Sequence, residues 1–578
     1  MSIQFHRPAS LLRQRLLPGA AFLTLAVAGG CGGSASTPSS PPPPQVTVSV
    51  TPTQSETPVG TIQPFAVQLS GAPSNAVKWT ASAGTIDQSG NYTAPDSIPP
   101  GGTAKITATS TTNPSVSGSA ITTITKGPVT LSIMPPAATL KAGFSTVYSG
   151  IVGGTSNPFV TWSVTADPGD INFPGTILAG AYTAPSPMLA TDTFSISAIS
   201  DADATKTASA TVTVVPLENQ QQQTFPIQLG ASGLNANSGG DCCSGTLGSL
   251  LVDQKGRQYI LSNNHVIGRW GHAAAGEDIV QPGFIDALCD FSAPKTVANF
   301  TYAPPVPGSN VDAAIAQVVP GAVNSKGQII GLGGIAADGS YIPAAPANTT
   351  VKPSMGMPVA KSGRTTGLSC SSVLAINGYI CVDVPQECGI PIQTTACFSG
   401  QVVMGNLVKA GDSGSLIVDA ETAQPMGLVA GLSADGRYTT ANPVSDVLTA
   451  LNSGLKTSFS FVGGPQHPVT CPGALSDAQR KLLARTAAIP QEEISHAMDV
   501  QQRHESEIMQ DSAVLGFAIG ESEANPGHAG FVIFIERGTA PERLPSQVED
   551  VSVRVIETGR FTAGTRPAVS SRCAGSAR

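Results

Sequence analysis

Three short stretches of this chain each carry one reactive side chain at the boundary of an apolar run. Residues 259–267 are strand-like and apolar and bring a single imidazole, His265, to their end. Asp312 stands at the start of another apolar run, and residues 410–415 read Ala-Gly-Asp-Ser-Gly-Ser around Ser413. Unrelated folds arrange a histidine, a carboxylate and a serine in different chain orders, so the order His, Asp, Ser restricts the fold.

The three residue types together suggest one kind of chemistry. A serine hydroxyl is a weak nucleophile unless a neutral imidazole takes its proton, and the imidazole needs a carboxylate to fix its tautomer. Ser413 is therefore predicted as the nucleophile, His265 as the general base and then acid, and Asp312 as the orienting group. The backbone N–H groups of Gly411 and Ser413 are predicted to form an oxyanion hole, in which one donor is worth about 3 kcal/mol.

Each residue also has an ordinary structural interpretation. A Gly-Asp-Ser-Gly stretch in a chain rich in Gly and Ser is often only a turn, and a histidine at a strand end is often only hydrogen-bonded. Asp278, Asp286 and Asp290 are rival acids in the same part of the chain. Asp312 is preferred because the apolar run that follows it is longer than the run after Asp278.

These motifs resemble those of the trypsin-like (chymotrypsin-fold) serine peptidases. The resemblance covers residues 231–462 and rests on Ser-Asn-Asn-His-Val at 262–266, Asp-Ala-Ala at 312–314 and Gly-Asp-Ser-Gly at 411–414. The Asn-Asn-His-Val form is more similar to the bacterial periplasmic heat-shock serine proteases than to digestive trypsins. The resemblance implies a double β-barrel that hydrolyses peptide bonds through an acyl-enzyme intermediate, without a cofactor.

The resemblance also implies a substrate pocket. Residues 361–368 look like the strand that enters the second barrel in bacterial relatives, and residues 425–431, which end at Gly431, look like the strand that lines the substrate cleft. The base of the pocket would fall at Leu407, where no carboxylate is present to select Lys or Arg. We therefore expect cleavage after apolar or small residues.

Composition favours a mostly β protein of an extracytoplasmic compartment. Only 12% of the residues are charged, against about 25% in typical globular domains. Gly (62) and Pro (47) are abundant and punctuate the chain with turns. The formal net charge of −8 gives no broad basic surface, so a nucleic-acid partner is not expected.

The N-terminal residues predict export. Arg7, Arg13 and Arg15 precede an apolar stretch at 20–28 that is too short to span a bilayer. Small residues then lead to Cys31 and resemble a bacterial lipoprotein processing site, which would make Cys31 a lipid anchor in the membrane. An ordinary secretory signal cut near the same place is the alternative. In both cases we expect a protein of the cell envelope, either an outer-membrane lipoprotein or a secreted protein.

The chain has ten cysteines, and those after Cys31 are expected to form mostly disulfides in an oxidising compartment. They are Cys242, Cys243, Cys289, Cys370, Cys381, Cys388, Cys397, Cys471 and Cys573. No Cys-x-x-Cys spacing occurs, so a metal site is not expected. The cysteines between 370 and 397 are expected to join loops of the second barrel, although the sequence leaves the pairing open.

An internal repeat precedes the reactive motifs. Trp79 and Trp162 stand in matching Val-x-Trp segments, and Tyr92 and Tyr182 stand in matching Tyr-Thr-Ala-Pro segments. Short alternating strands with a buried Trp and no helical period predict two β-sandwiches. They resemble the bacterial Ig-like repeats of surface proteins, and we expect them to act as spacers.

The sequence pattern changes after residue 463. The predicted elements are helices at 477–483 and 491–509 and strands at 513–520, 530–535 and 551–556. They resemble the small α/β module that accompanies some bacterial trypsin-like proteins, with a regulatory, partner-binding or chaperone role. His496, His504 and His528 fall here and are interpreted as solvated residues.

The whole chain is therefore predicted to be mainly β, with two Ig-like sandwiches, a double β-barrel trypsin-like domain and a small α/β domain. The predicted divisions are a signal peptide with the anchor cysteine (1–31), a Pro-rich linker (32–45), Ig-like domain 1 (46–126), Ig-like domain 2 (127–216), a linker (217–230), the trypsin-like domain (231–462) and the C-terminal domain (463–578). The predicted activity is that of a secreted or surface-anchored serine endopeptidase acting on protein or peptide substrates. The alternative is a catalytically silent surface adhesin or binding protein on the same scaffold.

Overall fold

The computed structural model describes residues 45–563 except 156, 167–172, 239–242, 307, 337–338, 385–393, 473–476 and 540–543. The expected signal peptide, the anchor Cys31 and most of the Pro-rich linker lie outside the described residues, as do Cys242, Cys388 and Cys573. Within the described residues, no helix is both long and apolar enough to cross a membrane. The chain is mainly β and divides into two compact units, one ending at Gly127 and the other beginning at Pro128.

The first unit holds a β-sandwich. Its strands are β1 (Thr47–Thr51), β2 (Gln54–Pro58), β3 (Ile62–Pro64), β4 (Ala66–Ser70), β5 (Val77–Ala81), β6 (Thr85–Ile86), β7 (Asn91–Thr93), β8 (Thr103–Ser110) and β9 (Ser117–Thr125). Apolar and polar residues alternate along β8 and β9, so one face of each strand is buried. The main sheet has the order β2-β9-β8-β5, in which β2 and β9 run parallel. Trp79 and Tyr92 are buried in its core.

The second unit begins with a sandwich of the same topology. Its strands are β10 (Thr130–Met134), β11 (Ala137–Lys141), β12 (Ser145–Val147), β13 (Ser149–Gly153), β14 (Val160–Thr165), β15 (Thr176–Leu178), β16 (Ala181–Thr183), β17 (Asp192–Ser200) and β18 (Thr207–Val215). The sheet β11-β18-β17-β14 repeats the order of the first sandwich, including a parallel pair, here β11 with β18. The matching Trp and Tyr segments thus occupy equivalent strands, β5 and β14 for Trp79 and Trp162.

The second sandwich shares its hydrophobic core with the chain that follows it. Phe194 and Val212 belong to the same cluster of buried side chains as Leu217 and Ile227. The segment 217–230, expected to be a linker, is therefore folded against the sandwich rather than solvated. Its apolar residues explain the difference, because they are placed where both neighbours can bury them.

The polar residues of this segment are also engaged. Asn219 is fully buried, and its Nδ2 donates to Gly230 O (2.7 Å) and to Ser362 Oγ (2.9 Å). Glu218 pairs with Lys141 of the second sandwich at 2.5 Å. Hydrogen bonds and an ion pair within the protein thus replace the water that a free linker would bind.

The next sheet surrounds the first two reactive residues. Its strands are β19 (Ala231–Asn235), β20 (Gly245–Leu247), β21 (Ser249–Asp253), β22 (Gln258–Ser262), β23 (Asp278–Gln281), β24 (Lys295–Tyr302), β25 (Ala314–Val318) and β32 (Phe459–Phe461), with the short helix α1 (Asn264–Ile267) after β22. Over the described residues it has eight strands in the order β20-β19-β23-β24-β25-β22-β21-β32. We call it the eight-stranded sheet; it places β22 beside β25.

The last sheet carries the serine motif and extends to the C-terminal part of the chain. Its strands are β26 (Pro358–Gly363), β27 (Gly367–Val384), β28 (Thr394–Gly405), β29 (Leu416–Asp419), β30 (Pro425–Ser433), β31 (Tyr438–Pro443), β33 (Val514–Glu521), β34 (Ala529–Glu536), β35 (Gln547–Val548), β36 (Val551–Thr558) and β37 (Phe561–Thr562). Over the described residues this eleven-stranded sheet runs β26-β29-β30-β31-β28-β27-β33-β34-β36-β35, and β37 pairs with both β27 and β30. The remaining helices are α2 (Val444–Leu455), α3 (Asp477–Ala487) and α4 (Gln491–Ile508).

The C-terminal elements lie close to their predicted positions, but they do not form a separate sheet. β33 pairs antiparallel with β27 and so continues the sheet that carries the serine motif. The reason is visible in β33 itself, which is buried along nearly its whole length and needs a neighbour on each edge. α4 covers this extension, with Ile494 and Val500 in one cluster with Phe517 and Ile533.

Disulfides fasten β27 at two places. Cys381 and Cys397 join it to β28, and Cys370 joins it to Cys471, after β32. The predicted cysteines do form disulfides, but Cys381 and Cys397 join two paired strands rather than loops, and Cys370 bonds to a cysteine outside the predicted 370–397 group. Other described cysteines, Cys243 and Cys289, are also disulfide-bonded.

Candidate active site

His265 is positioned by the end of β22. This strand is buried where it approaches Ser262, whose hydroxyl donates to Thr246 O (2.7 Å) on β20. The chain then passes through Asn263, which is extended, into the short helix α1. His265 lies on that helix and is buried, with 8% of its surface exposed.

Asp312 meets this imidazole because β22 and β25 are antiparallel neighbours. Ser262 at the end of β22 pairs with Ala314 at the start of β25, so residues just after one strand lie beside residues just before the other. Asp312 Oδ2 lies 2.5 Å from His265 Nδ1, and Oδ1 accepts the backbone N–H of His265 (3.2 Å). The carboxylate is fully buried.

Two asparagines hold Asp312 in place. Asn263 Nδ2 donates to the Asp312 backbone carbonyl (2.5 Å), and the Asp312 N–H donates to Asn442 Oδ1 (2.9 Å). Asn442 lies on β31, so this bond joins the two large sheets at the site. Asn263 belongs to the predicted histidine motif, whereas nothing in the sequence around β31 marks Asn442.

The three rival carboxylates are engaged elsewhere. Asp286 is buried and accepts two hydrogen bonds from the Arg364 guanidinium (2.7 and 2.6 Å). Burial acts to lower the pKa of the Arg364 guanidinium, but Asp286 and Asp412 together outweigh burial, and the pKa is raised. Asp278 and Asp290 are exposed and accept hydrogen bonds from neighbouring polar side chains. In the described structure, none of the three contacts the candidate imidazole.

Ser413 lies in a turn that requires a glycine on each side. Gly411 has φ +93° and Gly414 has φ +91°, a region that residues with a Cβ rarely adopt. A Cβ on Gly411 would lie 2.5 Å from Thr365 Oγ1, and one on Gly414 would lie 2.3 Å from Thr246 O. The predicted need for glycine at both positions is therefore steric as well as conformational.

The same turn leaves two backbone donors free. The Asp412 N–H donates to Lys409 O (3.0 Å) and closes the turn. This bond, together with the positive φ of Gly411, defines a type II turn. The Ala410 carbonyl accepts the Thr365 hydroxyl (2.6 Å). In a planar trans peptide the C=O and N–H groups point in opposite directions, so the Gly411 N–H points away from the Ala410 carbonyl and from Thr365. Among the described residues, the N–H groups of Gly411 and Ser413 donate to no protein acceptor.

The turn is fastened to the strands that lead to His265. The Thr246 N–H donates to Ser413 O (2.9 Å), and Thr246 O accepts the hydroxyl of Ser262. Ser413 is buried, with 5% exposed. Its hydroxyl is not bonded to the imidazole in this structure, since the buried His265 Nε2 has no partner among the described residues.

A buried ion pair supports the serine turn. Lys361 Nζ lies 3.1 Å from Asp412 Oδ2, and both side chains are fully buried. Asp412 also accepts the Thr365 N–H (2.8 Å) and the Thr366 hydroxyl (2.7 Å). Burial lowers the pKa of Lys361, and Asp412 acts against that shift. The signal in the sequence is a single lysine inside β26, a strand that is otherwise buried and largely uncharged.

The two predicted pocket residues lie in and beside the eleven-stranded sheet. Leu407 is 2% exposed and packs in a core cluster with Met404 and Ile417. Gly431 lies on β30, and a Cβ there would be 3.0 Å from Thr562 O on β37. Their role in a substrate pocket stays a prediction.

Trp270 lies beside the imidazole and has no counterpart in the sequence prediction. Its ring centroid is 6.0 Å from that of His265. Its backbone is left-handed, with φ 54°, which is uncommon for a bulky residue and concentrates at functional sites. The ring is buried in an apolar cluster that also contains Val382 and Phe561.

No protein-family model and no curated protein matches this chain. Among solved structures, a glutamic acid specific serine protease is 16% identical with a TM-score of 0.29, covering 41% of this chain and 100% of that one. Chymotrypsin of Cellulomonas bogoriensis is 18% identical with a TM-score of 0.27, covering 41% and 99%. The N-terminal four Ig domains of Dscam1 isoform 9.44 are 15% identical with a TM-score of 0.17, covering 30% and 47%. At such scores, the assignment of function depends on the site itself.

Proposed function

We propose that this chain is a serine endopeptidase in which His265, Asp312 and Ser413 act together. The observation that supports the proposal most is the buried 2.5 Å contact between Asp312 Oδ2 and His265 Nδ1. A carboxylate at Nδ1 keeps the imidazole proton on that nitrogen, so Nε2 carries the lone pair that a general base needs. Nε2 has no competing partner among the described residues.

In the proposed reaction, the Ser413 hydroxyl oxygen attacks the carbonyl carbon of a peptide bond while His265 Nε2 takes its proton. The imidazolium then gives that proton to the leaving amine, the C–N bond breaks, and an acyl ester remains on Ser413. Water then gives a proton to the same imidazole as it attacks the ester carbon. The imidazolium returns that proton to the Ser413 oxygen, the ester C–O bond breaks, and the carboxylic acid half of the substrate leaves. Asp312 stays ionised throughout and stabilises the imidazolium.

The Gly411 and Ser413 N–H groups are proposed to bind the oxygen anion of the tetrahedral intermediate. Two features support this role: neither donates to a described acceptor, and the Thr365 hydroxyl anchors the peptide on the side opposite the Gly411 N–H. Preorganised donors of this kind cost no reorganisation when charge develops, and one is worth about 10²–10³ in kcat.

Leu407 is proposed as the base of the primary pocket, which gives a specificity. A substrate Lys or Arg buried there without a counter-charge would cost several kcal/mol, whereas an apolar side chain would gain about 1.5–3 kcal/mol. We expect a peptide library to be cut after apolar or small residues. Strong cleavage after Lys or Arg would show that Leu407 does not form the pocket base.

We also propose that the two sandwiches are Ig-like spacers, that the two large sheets are the barrels of a chymotrypsin-type fold, and that the protein works outside the cytoplasm. The disulfides Cys370–Cys471 and Cys381–Cys397 support an oxidising compartment. A lipid anchor at Cys31 is testable, because Cys31→Ser should move the protein from the membrane fraction to the soluble fraction. Unchanged partitioning, without lipid mass on the wild-type terminus, would refute the anchor.

One observation favours a second function, a binding protein without catalysis. Ser413 and His265 are only 5% and 8% exposed, and they are not hydrogen-bonded to each other. A scaffold that keeps its triad residues covered could bind a partner through its surface and never turn over substrate.

Covalent labelling separates the two functions. A fluorophosphonate in excess should phosphonylate Ser413, located by peptide mass spectrometry, because this reagent needs an activated serine and little space. Ser413→Ala and His265→Ala should both abolish the label. His272→Ala is the matched control, since His272 is an exposed histidine a few residues from His265. If Ser413 stays unlabelled in every folded form of the chain, including shortened forms, the silent scaffold stands and the peptidase is refuted.

A further inference from the structure

A strand from the C-terminal part of the chain lies along β30, the strand that is hydrogen-bonded to the serine turn. β37 pairs antiparallel with β30, with Thr562 opposite Leu432 and Phe561 opposite Ser433. β31 occupies one edge of β30 at the same level, since Thr439 also pairs with Leu432. A strand has two edges, so β37 lies on the edge that β29 uses earlier along β30.

That edge leads directly to the serine turn. β29 leaves β30 where the Val429 N–H donates to Ser415 O (3.1 Å), two residues after Ser413. Beyond this point the edge of β30 continues through Gly431 to Leu432. An extended peptide that adds to β30 with its scissile carbonyl at Ser413 must therefore lie along Gly431 and Leu432. These are the positions that β37 covers.

β37 also has the direction of such a peptide. Because it is antiparallel to β30, the chain runs from Phe561 to Thr562 toward Gly431 and the serine turn. The acyl half of a substrate runs the same way, since its carboxyl end is the scissile carbonyl. Strand addition to a sheet edge is a general mode of peptide recognition. The space is filled, because a Cβ on Gly431 would lie 3.0 Å from Thr562 O.

Apolar and charged contacts hold β37 in position. Phe561 is 1% exposed and packs edge-on against Phe534, with ring centroids 5.6 Å apart. Arg560, just before the strand, makes two hydrogen bonds to Glu536 (3.0 and 2.8 Å) and one to Asp383 (3.4 Å). The segment is thus tied to β34 and β27 as well as to β30.

The same contacts reach the imidazole. Phe561 and Trp270 belong to one apolar cluster, and the Trp270 ring lies 6.0 Å from that of His265. A segment that covers the substrate edge and packs in the cluster beside His265 is consistent with a serine that is only 5% exposed.

We propose that Phe561–Thr562 is an autoinhibitory strand that keeps the proposed peptidase latent by occupying its substrate edge. The inference rests on the proposed function of Ser413 and adds the regulation of that site. Because the strand is tethered to the chain it blocks, its effective concentration is of millimolar order, and a peptide at micromolar concentration competes poorly. Removal of the strand is then the activating event.

The test is a chain that ends after Arg560, compared with a control chain that ends after Ala563 and retains β37. For a peptide substrate with at least four residues before the scissile bond, we expect kcat/KM of the shorter chain to rise about tenfold or more over the full chain. The control should keep the low value. A small activated ester, which needs no strand edge, should rise less than the peptide in the same preparations.

A point substitution covers the case in which the shorter chain does not fold. Arg560→Ala removes the contacts to Glu536 and Asp383 but keeps β37, and it should raise peptide kcat/KM about two- to fivefold. The matched control is Arg554→Ala on β36, since the Arg554 and Arg560 side chains are 44% and 46% exposed. Arg554→Ala should leave the rate unchanged.

The outcomes separate the two proposals. If the fluorophosphonate labels Ser413 in all chains and peptide hydrolysis is equal in the full and shortened chains, the autoinhibitory strand is refuted and the peptidase stands. If Ser413 is unlabelled in every folded chain, the proposed function is refuted. If the shortened chain is unfolded by circular dichroism, equal rates for Arg560→Ala and Arg554→Ala refute the strand, and a higher rate for Arg560→Ala supports it.

Discussion

The two large sheets hold their shares of the candidate site by different means. In the eight-stranded sheet, His265 and Asp312 meet because β22 and β25 are adjacent, and hydrogen bonds from Asn263 and from β31 fix the pair. In the eleven-stranded sheet, the Ser413 turn depends on a buried ion pair between Lys361 and Asp412. One half of the site therefore follows from strand pairing, and the other half from a buried charge.

The difference teaches where each half is vulnerable. Paired strands are held by many backbone hydrogen bonds, so the loss of one side-chain contact lowers the free energy of unfolding only modestly. A buried ion pair depends on both of its partners, because removing one leaves an uncompensated charge away from water and destabilises the fold strongly. We therefore expect substitutions behind the serine turn to act more strongly than substitutions behind Asp312.

The largest expected effect is on the rate of peptide hydrolysis, when a triad residue from either sheet is replaced. Ser413→Ala and His265→Ala should each lower kcat for peptide hydrolysis about 10⁶-fold, because the triad residues act as a unit. Asp312→Asn should lower it about 10⁴-fold, since the amide leaves the imidazole in the wrong tautomer. Rates are best measured on the chain that ends after Arg560.

The control for this prediction is His272→Ala, which should keep the wild-type rate. Full activity of Asp312→Asn would redirect attention to Asp278 or Asp290, and turnover by Ser413→Ala within tenfold of wild type would refute the assigned nucleophile.

The next largest effect is on the free energy of unfolding, when the ion pair behind the serine turn is broken. Lys361→Met should lower the free energy of unfolding by about 3–5 kcal/mol, because Asp412 is left buried without its ion-pair partner. Urea denaturation followed by tryptophan fluorescence measures the change. The double variant Lys361→Met with Asp412→Asn should recover much of the loss, and a double variant as unstable as the single one would show that the ion pair is not the cause.

The smallest effect is expected when the hydrogen bond from the Asp312 N–H to Asn442 is removed. Asn442→Ala removes one acceptor from the Asp312 N–H and should lower the free energy of unfolding by about 1–3 kcal/mol. The same denaturation experiment applies, with Asn348→Ala as an exposed asparagine control. A loss equal to that of Lys361→Met would mean that the two halves of the site are supported alike.

Much of the secondary structure could be predicted because it is encoded locally. The alternation of apolar and polar residues predicts β8 and β18, and the helix expected at 491–509 is found at Gln491–Ile508. The organisation of the C-terminal elements could not be read in the same way. Whether β33 begins its own sheet or joins β27 depends on a contact between residues far apart in the chain, which no local period encodes.

In the candidate site, too, some features are encoded locally and others depend on residues that are far apart in the chain. The contact between His265 and Asp312 could be expected from the order of the motifs, since His265 ends one strand-like run and Asp312 begins another. The partners Lys361 and Asn442 could not, because their significance depends on burial against residues distant in sequence. The pairing of Phe561 and Thr562 with β30 could not be predicted either, because a strand of two residues has no periodic pattern.

The folded segment 217–230 restricts how this chain can be rearranged during evolution. A sandwich joined through a solvated linker can be lost, duplicated or exchanged by recombination without disturbing its neighbour. The second sandwich cannot, because Leu217 and Ile227 are buried in one cluster with Phe194, and a break there would expose apolar surface at about 25 cal/mol per Å². We expect genes for this protein to inherit the second sandwich and the proposed peptidase as one block.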